Sequence, residues 1–164
     1  GETDMVGGLS RELVAKALVI AIAAICRKQK RDLYVIAYSH RIAGEWQFPK
    51  GVITMEKLQE YIGHFDCGGT DWRAPVERAC EITKEGDWKK ADLLMISDGD
   101  CRIDDETYRL LEKARKRNVQ MRAVLVAGSG SDKASLARGC GGAENVAAVS
   151  DFADDDATDL MFTI

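Results

Sequence analysis

Three apolar runs rich in β-forming residues, Leu33-Tyr-Val-Ile-Ala-Tyr38, residues 91–97 and residues 119–127, are separated by stretches of helical periodicity, and this alternation restricts the chain to few folds. A run that is apolar at nearly every position has no solvent face, so it belongs in a sheet covered on both sides. Such sheets are parallel, because a parallel pair needs a long crossover and the crossover helices cover the faces. The expected fold class is therefore α/β, a doubly wound, mostly parallel sheet with helices on both faces. An all-helical or antiparallel fold is not expected.

The segments between these runs carry helix and turn signals. Ser10 can cap a helix in which Leu13, Ala17, Ile20 and Ala24 recur at helical spacing, and the basic run Arg27, Lys28, Lys30, Arg31 suits the negative end of its dipole. A short edge strand is expected around residues 45–48, stopped by Pro49 and Gly51. Thr54 opens a helix to about Gly63 with Met55, Leu58 and Ile62 inward, and another helix runs over about residues 72–84. Asp104 or Asp105 caps a helix over residues 106–117, residues 131–138 form a short helix and residues 145–149 a last strand. Asp154, Asp155 and Asp156 read as a solvated helix start.

At 164 residues the chain has the length of one domain, about 150 residues. Its 46% apolar and 30% charged residues describe a globular chain rather than a disordered one. A net charge of −4 gives no general attraction for a phosphate backbone, so nucleic acid is not an expected partner. No stretch approaches the roughly 18 uninterrupted apolar residues of a membrane span, and no membrane association is expected. Five cysteines, Cys26, Cys67, Cys80, Cys101 and Cys140, are odd in number and contain no C-x-x-C pair, which reads as reduced thiols. The start Gly-Glu-Thr-Asp-Met lacks the basic and apolar regions of a secretory signal, and the expected location is the cytoplasm.

In sheets of this kind ligands bind beyond the carboxyl ends of the strands. Two oxygen donors are expected at that edge: Asp98, directly after Ser97, and Thr70, in the glycine corner Cys67-Gly-Gly-Thr-Asp71 before a helix. A carboxylate and a hydroxyl are hard donors, suited to Mg²⁺, Mn²⁺ or Ca²⁺ rather than zinc. The same corner has a plainer reading, with Thr70 or Asp71 capping the helix that follows. His40 and His64 read as surface or loop residues, since neither has a nucleophile in a local motif. Gly128-Ser-Gly-Ser131 lacks the Gly-Lys-Ser/Thr ending of a phosphate loop and reads as a strand-to-helix turn. Trp72 and Trp88 read as core or rim packing.

Gly68-Gly69-Thr70-Asp71, followed about twenty residues on by Trp88-Lys-Lys-Ala-Asp-Leu-Leu-Met-Ile-Ser-Asp-Gly99, resembles a von Willebrand factor A domain. Ala15-Lys-Ala17, residues 31–39 and His64-Phe65 are similar to the bacterial members that accompany MoxR-type AAA+ ATPases. The resemblance runs from about Ser10 to the end and implies a single von Willebrand factor A-like domain over residues 1–164. It further implies a metal ion-dependent adhesion site, where a divalent cation bridges the domain and an acidic residue of a partner. Thr70 then matches the metal-site threonine and Asp98 the aspartate after the fourth strand.

The family's other ligands come from an Asp-x-Ser-x-Ser motif at the end of a central first strand, and this sequence has no such motif. With Met5 set against the methionine that often follows the motif, Asp4 and Glu2 stand where the two serines would be, and the leading aspartate has no counterpart. Residues 1–8 offer only Met5 and Val6 toward an apolar central strand. The domain is thus expected to be N-terminally incomplete: the chain begins downstream of a lost strand, another polypeptide supplies that strand, or the fold has rearranged. An empty central position would leave its neighbours about 9–10 Å apart, with unpaired backbone groups on both sides.

The function that the resemblance implies is a non-enzymatic protein-binding module. It would dock a partner protein, such as a MoxR-type AAA+ ATPase, through Mg²⁺ (or Mn²⁺ or Ca²⁺) held weakly by Thr70, Asp98 and Asp4. The alternative is a Mg²⁺-dependent α/β enzyme or receiver-like phosphoryl-transfer domain using Asp98 with Asp100. Against it, no base is paired with a nucleophile, and the acidic cluster and lysine of a receiver are not well placed.

Overall fold

The computed structural model describes residues 5–6, 9–38, 42–63, 71–84, 86–97, 103–126 and 129–148. In chain order these form β1 (Met5–Val6), β2 (Leu9–Ser10), α1 (Arg11–Gln29), β3 (Leu33–Tyr38), β4 (Ile42–Phe48), α2 (Met55–Ile62), α3 (Arg73–Ile82), β5 (Leu93–Ser97), α4 (Asp105–Lys116), β6 (Met121–Leu125), α5 (Gly130–Cys140) and β7 (Val146–Ala148). The class is α/β. Strands β5, β6 and β7 make a parallel sheet with β6 in the centre, β3 and β4 pair antiparallel, and β1 and β2 form a short antiparallel pair. Among the described residues no helix is long and apolar enough to cross a membrane.

Local chemistry sets the helix ends. Thr54 Oγ1 accepts the Lys57 N–H at 3.2 Å, Asp104 Oδ1 accepts that of Thr107 at 2.7 Å, and Ser129 and Asp132 cap α5 reciprocally. Ser129 is therefore the cap and Gly130-Ser131 the first turn of α5, a helix start of the plain kind. Helices α1, α4 and α5 all stop at a left-handed residue: Lys30 (φ 56°), Asn118 (φ 68°) and Gly141 (φ 85°). In each case the next N–H reaches a carbonyl five residues back, Arg31 to Cys26, Val119 to Ala114 and Gly142 to Ala137, so the last carbonyls of the helix are satisfied.

Successive side chains of a strand point to opposite faces, and here both faces of the parallel sheet are covered. Leu93 and Met95 pack with Trp72, just before α3, and with Val76, Leu111 and Leu136 from α3, α4 and α5. On the other face Leu94, Ile96, Val124 and Val126 meet Val14, Ala15 and Leu18 of α1. A third cluster joins Trp46 and Phe48 of β4 to Tyr61 of α2, with Val19 and the Leu33, Val35, Ala37 row of β3 against it.

Several expectations are corrected. Leu33–Tyr38 is not a strand buried within a parallel sheet: it pairs antiparallel with β4, and all six of its residues are half-buried, with a strand along only one of its edges among the described residues. The edge strand starts at Ile42, not near residue 45. In α1 the row Leu13, Ala17, Ile20, Ala24 faces outward, with Leu13 52% exposed, while Leu18, Ile22, Ala23 and Cys26 are buried. That helix is apolar nearly all round, so two rows have helical spacing and contact with the sheet selects between them. In α2, Met55 (69% exposed) and Ile62 (43%) lie outside and Tyr61 is the buried residue, held edge-on against Trp46 at 5.2 Å. Trp72 is buried against Tyr38, ring centroids 5.1 Å apart, and Trp88 is half-buried against Tyr34.

Cys26, Cys80 and Cys140 are buried free thiols, whereas Cys67 and Cys101 lie outside the described residues. Burial raises all three pKa values, with Cys140 pushed up to about 12. At pH 8 a thiol with that pKa is ionised roughly a thousand-fold less than an ordinary one, and only the thiolate is nucleophilic. Cys140 is expected to resist iodoacetamide in the native protein and to react fully in denaturant. Mass mapping of labelled peptides checks it, and equal labelling in both states would contradict the buried placement.

Candidate functional site

Thr70, Asp98 and Asp4 lie outside the described residues, as do His40, His64 and residues 154–156. The elements that flank the first two are described. Asp98 follows Ser97, the last residue of β5, whose side chain is buried and whose carbonyl accepts the Val126 N–H at 2.7 Å. Thr70 precedes Asp71, whose Oδ1 accepts the Arg73 N–H at 3.0 Å, so the corner's aspartate takes part in starting α3.

The start of α3 is fixed from two directions. Trp72 packs on Tyr38, the last residue of β3, which puts it at the carboxyl end of that strand. Arg73 ties it to α4: its Nη1 lies 2.9 Å from a Glu106 carboxylate oxygen, while its Nε donates to Glu77 at 2.9 Å. Helix α4 follows the segment that leaves β5 at residue 98. The N-terminal turns of α3 and α4 are therefore side by side, each carrying the positive end of a helix dipole. Glu106 sits in the first turn of α4, where that dipole favours negative charge.

Asp104 is the described carboxylate at this end whose titration is most displaced. Hydrogen bonds from the Thr107 hydroxyl and then the Thr107 N–H hold it below the ordinary carboxylate range, and the nearby Arg73 charge adds to this. Because its folded pKa is depressed, the stability it contributes is fully present above the unfolded value near 3.9 and is lost as pH falls through the lower folded value. Asp104→Asn keeps a side-chain acceptor for the cap and removes the titration. The variant is expected to show a smaller fall in urea midpoint than the parent between pH 5 and about pH 3. An unchanged acid slope would show that other carboxylates dominate.

Among the described residues no group of three or more His, Cys, Asp or Glu could hold a metal ion. Asp71 and Asp104 are already engaged with backbone N–H groups. At the opposite, amino end, Arg31 pairs with Asp92 at 3.5 Å, joining the residues just before β3 and just before β5. The sequence read Arg31 only as a cation closing a helix; its partner is 61 residues away, and no local pattern signals the pair.

No protein-family model matches the chain. Over 118 residues, 71% of its length, it is 30% identical to an uncharacterized protein of Methanocaldococcus jannaschii. The matched region is 27% of that relative, so the chain spans about a quarter of the relative's length.

Proposed function

We propose that this chain is a protein-docking module of the von Willebrand factor A kind. A divalent cation, Mg²⁺ or in its place Mn²⁺ or Ca²⁺, is held by Thr70 and Asp98 with Asp4, and bridges to an acidic side chain of a partner protein such as a MoxR-type AAA+ ATPase. The observation that carries this reading is the Arg73–Glu106 contact at 2.9 Å: the helix that follows Thr70 and the helix that follows Asp98 start together. That neighbourhood supports bringing a hydroxyl and a carboxylate to one place beyond the sheet, in a doubly wound arrangement. Their hard oxygens suit these cations. With Asp71 and Asp104 engaged elsewhere, a cation here draws on the segments carrying residues 4, 70 and 98. The bound ion would supply an open coordination position to a partner carboxylate. The chain's own residues orient the ion and perform no covalent step.

Three protein ligands leave about half of an octahedral shell to water, so the expected affinity for Mg²⁺ is roughly millimolar. Calorimetric titration of the purified chain measures it, and Asp98→Asn or Thr70→Ala is expected to remove the signal. Micromolar affinity, or a signal unchanged in both variants, would overturn the ligand assignment. Turnover of a phosphoester or nucleoside triphosphate abolished by Asp98→Asn would favour the enzymatic alternative instead.

A further inference from the structure

Helix α1 is apolar nearly all round, and a helix of that composition is ordinarily enclosed on every side. Here its inner sides are covered: Val14, Ala15 and Leu18 meet Leu94, Ile96 and Val124 of the parallel sheet, while Val19, Ile22 and Cys26 line a slot of about 490 Å³ between β3 and β5. Its outer side is not. Leu13, Ala17, Ile20, Ala21, Ala24 and Lys28 are all exposed, and at 3.6 residues per turn they fall within about a third of the helix circumference. The large apolar side chains exposed among the described residues are Leu13, Ile20, Val52, Met55 and Ile62, and all five belong to α1 or to the segment from Val52 to the end of α2. Exposed apolar residues gathered on one face, rather than scattered, mark a contact surface.

Helix α2 extends this face, and its direction is defined. Gly51, just before α2, abuts the backbone of Ala23, Cys26 and Arg27 in the second half of α1, whereas Lys16 Nζ in the first half donates to the Ile62 carbonyl, at the end of α2, at 2.9 Å. The two helices therefore lie side by side and antiparallel, with the end of α2 next to the start of α1. Charge is distributed unevenly along them. Lys28 is exposed in the last turn of α1, while Glu56 and Glu60 are exposed on α2. Neither Lys28 nor Glu60 has an ion-pair partner among the described residues.

We propose that this face is the interface of a two-fold dimer, in which α1 packs antiparallel against α1 of a second copy and the two α2 helices flank the seam. The stripe itself selects that occupant. With the axis level with Ile20 and Ala21, Ile20 of each copy lies over Ala21 of the other, Ala17 opposes Ala24, and Leu13 opposes the aliphatic stem of Lys28. Each large apolar residue thus meets a small or flexible one, and the alanines let the helix axes approach to about 8 Å. A two-fold contact has to be self-complementary in this way, because one patch serves both sides. Charge agrees. Antiparallel packing brings the last turn of one α1 beside the end of the other copy's α2, so Lys28 reaches Glu60 twice across the seam, and it sets the two α1 dipoles head to tail. A parallel pairing would set Lys28 beside Lys28. A 19-residue helix about 28 Å long, with α2 beside it, buries on the order of 1,000 Å² over both copies, the low end of specific interfaces, so the dimer is a reversible one with a dissociation constant of about 10 μM.

Sedimentation velocity of the 164-residue chain tests this, in EDTA so that the metal reading has no bearing, and at low ionic strength so that the charge pairs are not screened. Over about 1 to 300 μM the expected result is a doubling of mass centred near about 10 μM. Ile20→Glu is expected to weaken the dimer by about thirty-fold or more while leaving the urea midpoint of the monomer unchanged, because the residue is exposed. Should that midpoint move, Ala24→Glu, also at an exposed position, gives the same reading. Lys28→Glu is expected to weaken association several-fold, and Lys28→Glu combined with Glu60→Lys to restore it. A monomer at every concentration would overturn the proposal and leave the face to a different polypeptide. A dimer that neither glutamate variant weakens would overturn it too, since the contact would then lie elsewhere. A double charge reversal that restores nothing would overturn the antiparallel arrangement on which the choice of a second copy rests.

Discussion

Gly51→Ala is expected to lower the stability of this protein by about 2–5 kcal/mol, the largest loss foreseen for adding one methyl group. Gly51 ends the turn after β4 with φ 69°, a conformation that costs an L-residue about 1–2 kcal/mol. The heavier part is the surroundings. A Cβ there would lie 2.5 Å from the Ala23 carbonyl oxygen and 2.8 Å from the Cys26 carbonyl carbon, and would also strike the Arg27 nitrogen. All three atoms are backbone of α1 and cannot rotate away, so the turn and the helix must separate, at about 1–3 kcal/mol for overpacking. Gly86→Ala is the control. Its φ is 72°, but nothing lies within 4 Å of the added carbon, and a loss of about 1 kcal/mol is expected from conformation alone. Urea unfolding of both variants separates the terms. Equal losses would mean that the turn moves off the helix without cost.

Phe48→Ala is expected to cost about 3–5 kcal/mol. Phe48 has no exposed surface and sits where β4 meets α1 and α2, in the cluster with Trp46 and Tyr61. Lys57 lies over its ring at 5.9 Å, and the Lys57 ammonium also donates to the Gln47 carbonyl, so deleting the ring empties a site whose walls are tied to one another. Met55→Ala, seven residues on, is expected to change stability by less than about 0.5 kcal/mol, since Met55 is 69% exposed. Thermal or urea unfolding of the pair measures the contrast. Comparable losses would place Met55 in the core, as its spacing in the sequence had suggested.

The contrast between those two residues locates what a sequence pattern can carry. Met55, Leu58 and Ile62 have helical spacing, and the helix is there; which of its rows meets the sheet depends on where Trp46 arrives from a different element, and the residue it meets is Tyr61. The same holds in α1, where Leu13 and Ile20 are as apolar as Leu18 and Ile22 but face outward. Caps were legible because they are local: Thr54 and Asp104 bond to N–H groups three residues ahead. The approach of α3 to α4 through Arg73 and Glu106 was expected only in outline, from the rule that such segments meet at the carboxyl edge of the sheet.

Taken by itself, the sequence determined the α/β class, the positions of β5 and β6, the presence of helices α1 to α5 with the caps at Thr54 and Asp104, and the hard-oxygen character of Thr70 and Asp98, because each rests on interactions within a few residues or on the apolar content of one run. Tertiary structure decided that Leu33–Tyr38 pairs antiparallel, that Arg31 closes on Asp92, and that β3 and β5 stand apart with an apolar slot between them. Pairing partners, ion pairs across 61 residues and a cavity bounded by several elements are properties of how faces meet, and no residue carries that information alone.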